Sequence, residues 1–268
     1  MNNSESNHKF NQKRRFILSF IGTIIYFIGI MTPFGIGQYS VYITSCFRCF
    51  NPKINIQLGN LMMPILILAL SLSSPLGGIL EHKFGMHLTL IINSIILEFL
   101  IFIFISQKNI YITFVLIILI GMTIGSVITI PGKNICFYYP KKRGMIISLI
   151  TSFNVIVGSV VNVLGEKIIN PGKVTLKKNE TYYPLNIAKN YIKFYKISLI
   201  VIPICSLISL PFLKKYEQSN DNQNEKLDKN ININELIEKE NYSKNLKSAI
   251  CNIVFIKIYI NIYLIQSI

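Results

Sequence analysis

The sequence predicts an all-α integral membrane protein, a bundle of six spanning helices followed by a marginal seventh helix. Three observations carry that expectation. Apolar residues make up 51% of the 268 residues and charged residues only 15%, whereas soluble chains are about 25% charged. The deficit is concentrated in uncharged runs of about 20 residues, enough at 1.5 Å per residue to cross a hydrocarbon core about 30 Å thick. The runs are apolar around most of their circumference, where a soluble core helix keeps a polar face.

The runs cover residues 16–37, 58–80, 85–106, 110–131, 144–165 and 197–213. Lys13, Arg14 and Arg15 precede the first, as basic residues precede a secretory signal. An apolar stretch there exceeds the roughly 7 to 15 residues of such a signal, so the first run is expected to stay as an anchor. The third run holds Glu98, the one acidic side chain inside a predicted span. The fourth carries Gly121 and Gly125. The sixth is the shortest. The chain divides into an N-terminal arm (1–15), the six-helix bundle (16–213), a polar Asn-, Lys- and Glu-rich segment (214–248) whose composition reads as a disordered cytoplasmic linker, and a partial seventh span (249–268). Lys257 makes that last span marginal, because a central lysine opposes insertion by about 2.5 to 3.5 kcal/mol.

Orientation follows from Lys and Arg in the short flanks. Lys9, Lys13, Arg14, Arg15, Lys83, Lys133, Lys141, Lys142 and Arg143 fall on the N-terminal side, against Arg48, Lys53 and Lys108 opposite, so the N-terminus is expected in the cytoplasm. The lysine-rich link between spans five and six reduces the contrast. That link carries the sequon Asn179-Glu180-Thr181 on the predicted outer side, where glycosylation occurs.

The net charge of +15 raises nucleic acid as a partner, but these cations sit between apolar runs and read as membrane-flanking charge. No nucleic acid is expected. Five cysteines are too few for a disulfide scaffold. Cys46 and Cys49 have metal-ligand or redox spacing, yet no second Cys or His pair completes four ligands, so no metal or cofactor is expected. There is no G-x-S-x-G, H-E-x-x-H or P-loop, and the chain is not expected to be an enzyme.

Two segments carry a family resemblance. Between spans two and three the chain reads Gly78-Ile79-Leu80-Glu81-His82-Lys83-Phe84-Gly85-Met86-His87. This resembles the G-x-L-x-D-R-x-G-R-R loop of major facilitator transporters, with Gly78, Leu80, Lys83 and Gly85 in register and His82 where an acid is usual. From span four into span five it reads IGMTIGSVITIPGKNICFYYPKKRGMIISLITSF, which is similar to the oxalate/formate antiporter and monocarboxylate carrier branches at Gly121, Gly125, Pro131, Tyr139, Pro140, Arg143 and Gly144, with Ser148, Ser152 and Gly158 as small positions. Span one ends in GIGQYSVYI, similar to the same branch at Gly37, Tyr39, Ser40 and Val41. The resemblance covers the N-terminal half of that architecture plus the start of a seventh helix.

The resemblance implies secondary active transport of a small solute, such as a monocarboxylate or other organic anion, by alternating access. The alternative is a truncated or half-length, transporter-like membrane protein without transport of its own. The implied substrate path comprises Gln38, Tyr39, Asn60, Thr123, Ser126 and Asn154, with Arg143 at its cytoplasmic mouth. Glu98 is the candidate for proton coupling, because an intramembrane ionisable group is functional by default; a structural hydrogen bond to Asn93 or to another helix is the rival and favoured role. Gly121, Gly125, Gly144 and Gly158 are the expected helix-packing positions. The partners are the bilayer, a small solute with a proton, and a second half or second copy of the bundle.

Overall fold

The computed structural model describes residues 3–176 and 181–214, with side chains from residue 12 onward. The expected linker beyond Lys214, the seventh helix and Asn179 of the sequon lie outside the described residues. Those residues belong to one compact unit, Met1–Tyr216, and contain no strand.

Among the described residues ten α-helices follow one another: α1 (Asn3–Met31), α2 (Ser40–Arg48), α3 (Ile56–Asn60), α4 (Met62–Phe84), α5 (Met86–Ser106), α6 (Ile110–Ile128), α7 (Ile130–Cys136), α8 (Arg143–Ile169), α9 (Leu185–Ala188) and α10 (Tyr191–Phe212). They build six segments long and apolar enough to cross a bilayer: Gln12–Ile36, Ile56–Phe84, Met86–Ser106, Ile110–Cys136, Pro140–Ile169 and Leu185–Phe212. This is the architecture of a multi-pass integral membrane protein, and each segment overlaps one of the six apolar runs.

Local chemistry sets the boundaries. Asn55 and Asn109 cap α3 and α6, their side chains accepting from the backbone N–H of Gln57 and Tyr111, and so satisfy one of the orphan donors of a helix start. Gly85 turns α4 into α5 at φ 79° while its N–H returns to Glu81 O at 2.8 Å. A side chain would be strained there. Within the spans, Thr23, Ser94, Thr113, Ser148 and Ser159 donate to the carbonyl four residues back, which lets hydroxyls sit at bilayer depth without an unpaired donor. Span one is broken by a 3-10 turn over Thr32–Ile36 with Pro33 near its start. Pro75 lies inside α4, and Pro203 and Pro211 inside α10.

Span six starts earlier than residue 197. Tyr191, Phe194 and Tyr195 are buried while Lys193 and Lys196 point outward; the lysines make this turn look like a loop, but long cationic stems snorkel from a helix that is apolar on its other side.

The starts of α1, α5 and α8 and the ends of α4, α7 and α10 share one face of the bundle, the N-terminal face. His87 Nε2 at the start of α5 is 2.7 Å from Leu213 O, and Lys133 Nζ of α7 is 2.8 Å from Glu81 Oε2 of α4. The carbonyl of Lys214 accepts from Ser19, Asn134 and Tyr138 at 3.0, 2.8 and 3.0 Å. On the opposite face, the Tyr182 hydroxyl donates to Ile54 O and accepts from Ile56 N, and Arg48 lies 3.8 Å over the Tyr182 ring.

The helix pairs form a pattern. α1 packs on α10 and α6 on α5; α4 packs on α6 and α8 on α1; α4 packs on α5 and α8 on α10; and α5 packs on α10. Exchanging α1 with α6, α4 with α8, and α5 with α10 turns this set of pairs into itself. Because α1 starts on the N-terminal face and α6 on the opposite one, the two triplets run in inverted directions.

Candidate functional site

The tightest seam joins α4 to α6. A Cβ added at Gly121 would lie 2.6 Å from Leu66 O and 3.0 Å from Ala69 Cβ, and one at Gly125 would meet Ser73 Oγ and the Leu70 carbonyl. Reciprocally, a Cβ at Gly77 would collide with the Ser126 carbonyl. Ala69, Ser73 and Gly77 recur every four residues on α4, opposite Gly121 and Gly125 on α6, so two small-residue ridges let the backbones touch. Gly78, Gly144 and Gly158, by contrast, have nothing within 4 Å among the described residues. For Gly144 and Gly158 that corrects the packing expectation: their helix, α8, turns this side outward.

A polar chain crosses the bundle interior at one level. The Ser126 hydroxyl of α6 is 2.8 Å from Asn93 Oδ1 of α5 and 2.8 Å from its own Thr123 carbonyl. Next to Asn93, Ser94 Oγ lies 2.9 Å from Ser206 Oγ of α10. The Tyr26 hydroxyl of α1 is buried beside Ser94. All four helices meet through these groups, each buried. Farther along the same α5–α10 seam, on the opposite face, Phe104 packs edge-on against Tyr191 and Tyr195 with centroids 6.4 and 5.1 Å apart.

The predicted path residues divide. Tyr39 is fully buried, donating to Asn162 O of α8 at 2.9 Å with its ring edge on Phe194 at 5.0 Å; burial pushes its hydroxyl well above the ordinary tyrosine range. A Cβ at Gly165 would strike the Tyr39 hydroxyl, so glycine is what admits it. Thr123 and Ser126 are buried at helix contacts. These three are enclosed by their neighbours and do not line an open path among the described residues. Gln38 and Asn60 are exposed on the opposite face and flank the contact of Gly37 with Met63. Asn154 is half-buried at mid-span on α8, and its buried Oδ1 has no partner among the described residues. Arg143 is exposed at the start of α8, 6.0 Å over the Phe137 ring.

Glu98 is half-buried on α5 between the exposed Ile95 and Phe99, with no hydrogen bond or ion pair among the described residues. Asn93 is not its partner: Asn93 Nδ2 donates to Thr89 O at 2.9 Å while Oδ1 serves Ser126. The structural role expected for Glu98 is therefore replaced by an unpaired carboxyl on the outer flank of α5.

In the loop between α4 and α5, Gly85 makes the turn already described, Leu80 O accepts from the Thr89 hydroxyl at 3.2 Å, and Lys83 is exposed with its ammonium 5.4 Å from the Phe84 ring. Glu81, not His82, takes the ion pair. Cys46 is buried on α2 and Cys49, just past its end, is exposed, both as free thiols; burial pushes the Cys46 thiol up. Among the described residues no group of three His, Cys, Asp or Glu could hold a metal. Sequence reading missed Gly77, Ser94, Ser206 and Gly165. The four-residue recurrence of Ala69, Ser73 and Gly77 was a visible signal; the others have no signal outside the fold.

The chain matches no known protein-family model, and no curated protein or solved structure is significantly similar to it.

Proposed function

We propose that the chain forms a transport bundle of the major facilitator type, moving a small solute such as a monocarboxylate or other organic anion by alternating access. The observation that carries this reading is the inverted exchange of α1, α4 and α5 with α6, α8 and α10. Inverted-topology triplets are a structural basis of secondary transport, because two units threaded in opposite directions are related by a pseudo-two-fold axis in the membrane plane, and exchanging their conformations turns an inward-open state into an outward-open one. The break in span one at Pro33 adds to it, since interrupted helices are where such bundles bind and move, and Pro75 and Pro203 inside α4 and α10 each leave a backbone carbonyl without its helix donor. The polar residues offered to a solute are Gln38, Asn60 and Asn154, and Glu98 supplies a carboxyl for a coupled proton. Orientation with the N-terminus in the cytoplasm belongs to the same reading, and so does pairing with a second half or second copy that completes the path.

The test is uptake of radiolabelled monocarboxylates by liposomes holding the purified full chain under an inward proton gradient. Gradient-dependent accumulation above empty liposomes is expected. No uptake for any monocarboxylate would overturn the transport reading and favour a transporter-like bundle without activity of its own.

A further inference from the structure

Two stretches of basic residues that are far apart in sequence share one rim of the N-terminal face. Lys13, Arg14 and Arg15 open the first span, and Lys141, Lys142 and Arg143 open the fifth; all six are exposed. Four contacts hold the stretches together. Gln12 Nε2 donates to Tyr138 O at 3.3 Å, the Phe16 ring stands edge-on to Tyr139 at 4.8 Å and to Tyr138 at 6.2 Å, and Phe20 meets Phe153 of α8 at 5.8 Å. Glu81 of this face is 2.8 Å from Lys133, which lies outside the group of six.

The depth of these cations decides what they meet. The apolar segments begin at Gln12 and Pro140, so the six charges stand where a bilayer keeps its headgroup phosphates. One turn further in, the same two helices expose apolar side chains: Ile17 and Ile21 on α1, Met145 and Leu149 on α8. Cations above and bare aliphatic surface below match an amphiphile, with an anionic head and acyl chains, better than they match a free anion, which has no use for the lower half. Clusters of four to eight Lys and Arg at the end of a spanning helix attract anionic lipid through the same geometry.

We propose that this rim is a binding site for the headgroup of an anionic phospholipid, held between the starts of the first and fifth spans. It does not depend on the transport reading, only on the six spans and the contacts that join α1 to α8.

The test uses the full chain in detergent micelles, with retained lipid counted by native mass spectrometry. Dioleoylphosphatidylglycerol, dioleoylphosphatidylcholine and inorganic phosphate are the probes. Phosphatidylglycerol is expected to bind more tightly than phosphatidylcholine, and phosphate is expected not to displace it. The triple variant Lys141→Gln, Lys142→Gln, Arg143→Gln is expected to weaken phosphatidylglycerol binding about 100-fold, at about 5-fold per cation. A triple variant of equal charge on the opposite face, Lys167→Gln, Lys173→Gln, Lys189→Gln, is expected to leave it unchanged. Should the first triple fail to fold, Lys141→Arg, Lys142→Arg, Arg143→Lys keeps the charge and is expected to retain binding. A photoactivatable phosphatidylglycerol is expected to label wild-type protein within residues 12–21 and 138–149. Equal binding of the two lipids, displacement by phosphate, equal loss in both Gln triples, or labelling confined to the opposite face would each overturn the site.

Discussion

Replacing Gly121 by Ala tests whether direct backbone contact between α4 and α6 holds the bundle together. The added Cβ would sit 2.6 Å from Leu66 O and 3.0 Å from Ala69 Cβ, whereas carbon and carbonyl oxygen settle at about 3.3 to 3.6 Å. The oxygen belongs to a helix backbone and cannot swing aside, so the helices must part by about 0.7 Å. A gap of that size forfeits between a quarter and a half of each dispersion contact along the seam, and overpacked substitutions of this kind cost about 1 to 3 kcal/mol. For a chain of this size about 2 to 4 °C of melting temperature is lost per kcal/mol. Thermal unfolding in micelles, followed by thiol-reactive fluorescence, should therefore show Gly121→Ala melting several degrees below wild type. Gly158→Ala, whose Cβ meets nothing within 4 Å, serves as the control and should melt at or above the wild-type temperature, since alanine favours a helix interior over glycine by about 1 kcal/mol. The reasoning fails if Gly121→Ala melts with wild type, or if Gly158→Ala falls by as much.

Other outcomes follow from the same geometry. Glu98→Gln should leave melting unchanged, because the carboxyl has no partner among the described residues, and should abolish pH-driven uptake in liposomes; intact pH-driven uptake would remove Glu98 from coupling. Asn93→Ala should destabilise the fold by about 0.6 to 1.7 kcal/mol, the range for one hydrogen bond between membrane helices, measured by the same unfolding assay. The cost should fall toward the lower end, because Ser126 keeps its 2.8 Å contact with Thr123 O. A membrane-impermeant maleimide added to sealed cells should label Cys49 and leave Cys46 unlabelled, since Cys46 is buried and its thiol is held protonated above the ordinary range; labelling of Cys49 only after lysis would reverse the orientation. Lys133→Ala should change melting by less than about 1 kcal/mol, the worth of an exposed ion pair, although its partner is only 2.8 Å away.

The spans were legible because bilayer thickness imposes a length and a hydropathy that no other context demands of residues 16–37 or 110–131. Their edges were less so: the lysines at 193 and 196 hide the first turns of α10, because hydropathy sums a turn while burial sorts its two sides. Gly121 and Gly125 stood out as a pair, and the matching ridge of Ala69, Ser73 and Gly77 followed the same spacing. Gly144 and Gly158 had the same composition and a different outcome, since a small residue permits close approach without supplying the neighbour. Tyr39 shows the limit for the candidate path. A tyrosine near the end of a span reads as a polar group facing solute, and only the position of Gly165 across the bundle turns it into a buried strut. Glu98 was visible as an isolated charge, but which flank of α5 it occupies depends on the register in which α6 and α10 grip that helix.

The seam between α5 and α10 is fastened differently at its two ends. Ser94 and Ser206 share a hydroxyl contact at 2.9 Å, which holds only within a narrow range of distance and angle. Phe104, Tyr191 and Tyr195 meet at the other end as rings 5.1 to 6.4 Å apart, a contact without strict direction that survives sliding. A rigid fastening at one end and a slipping one at the other give the pair a pivot, so a tilt of one helix against the other would sweep the aromatic end and leave the serines in place.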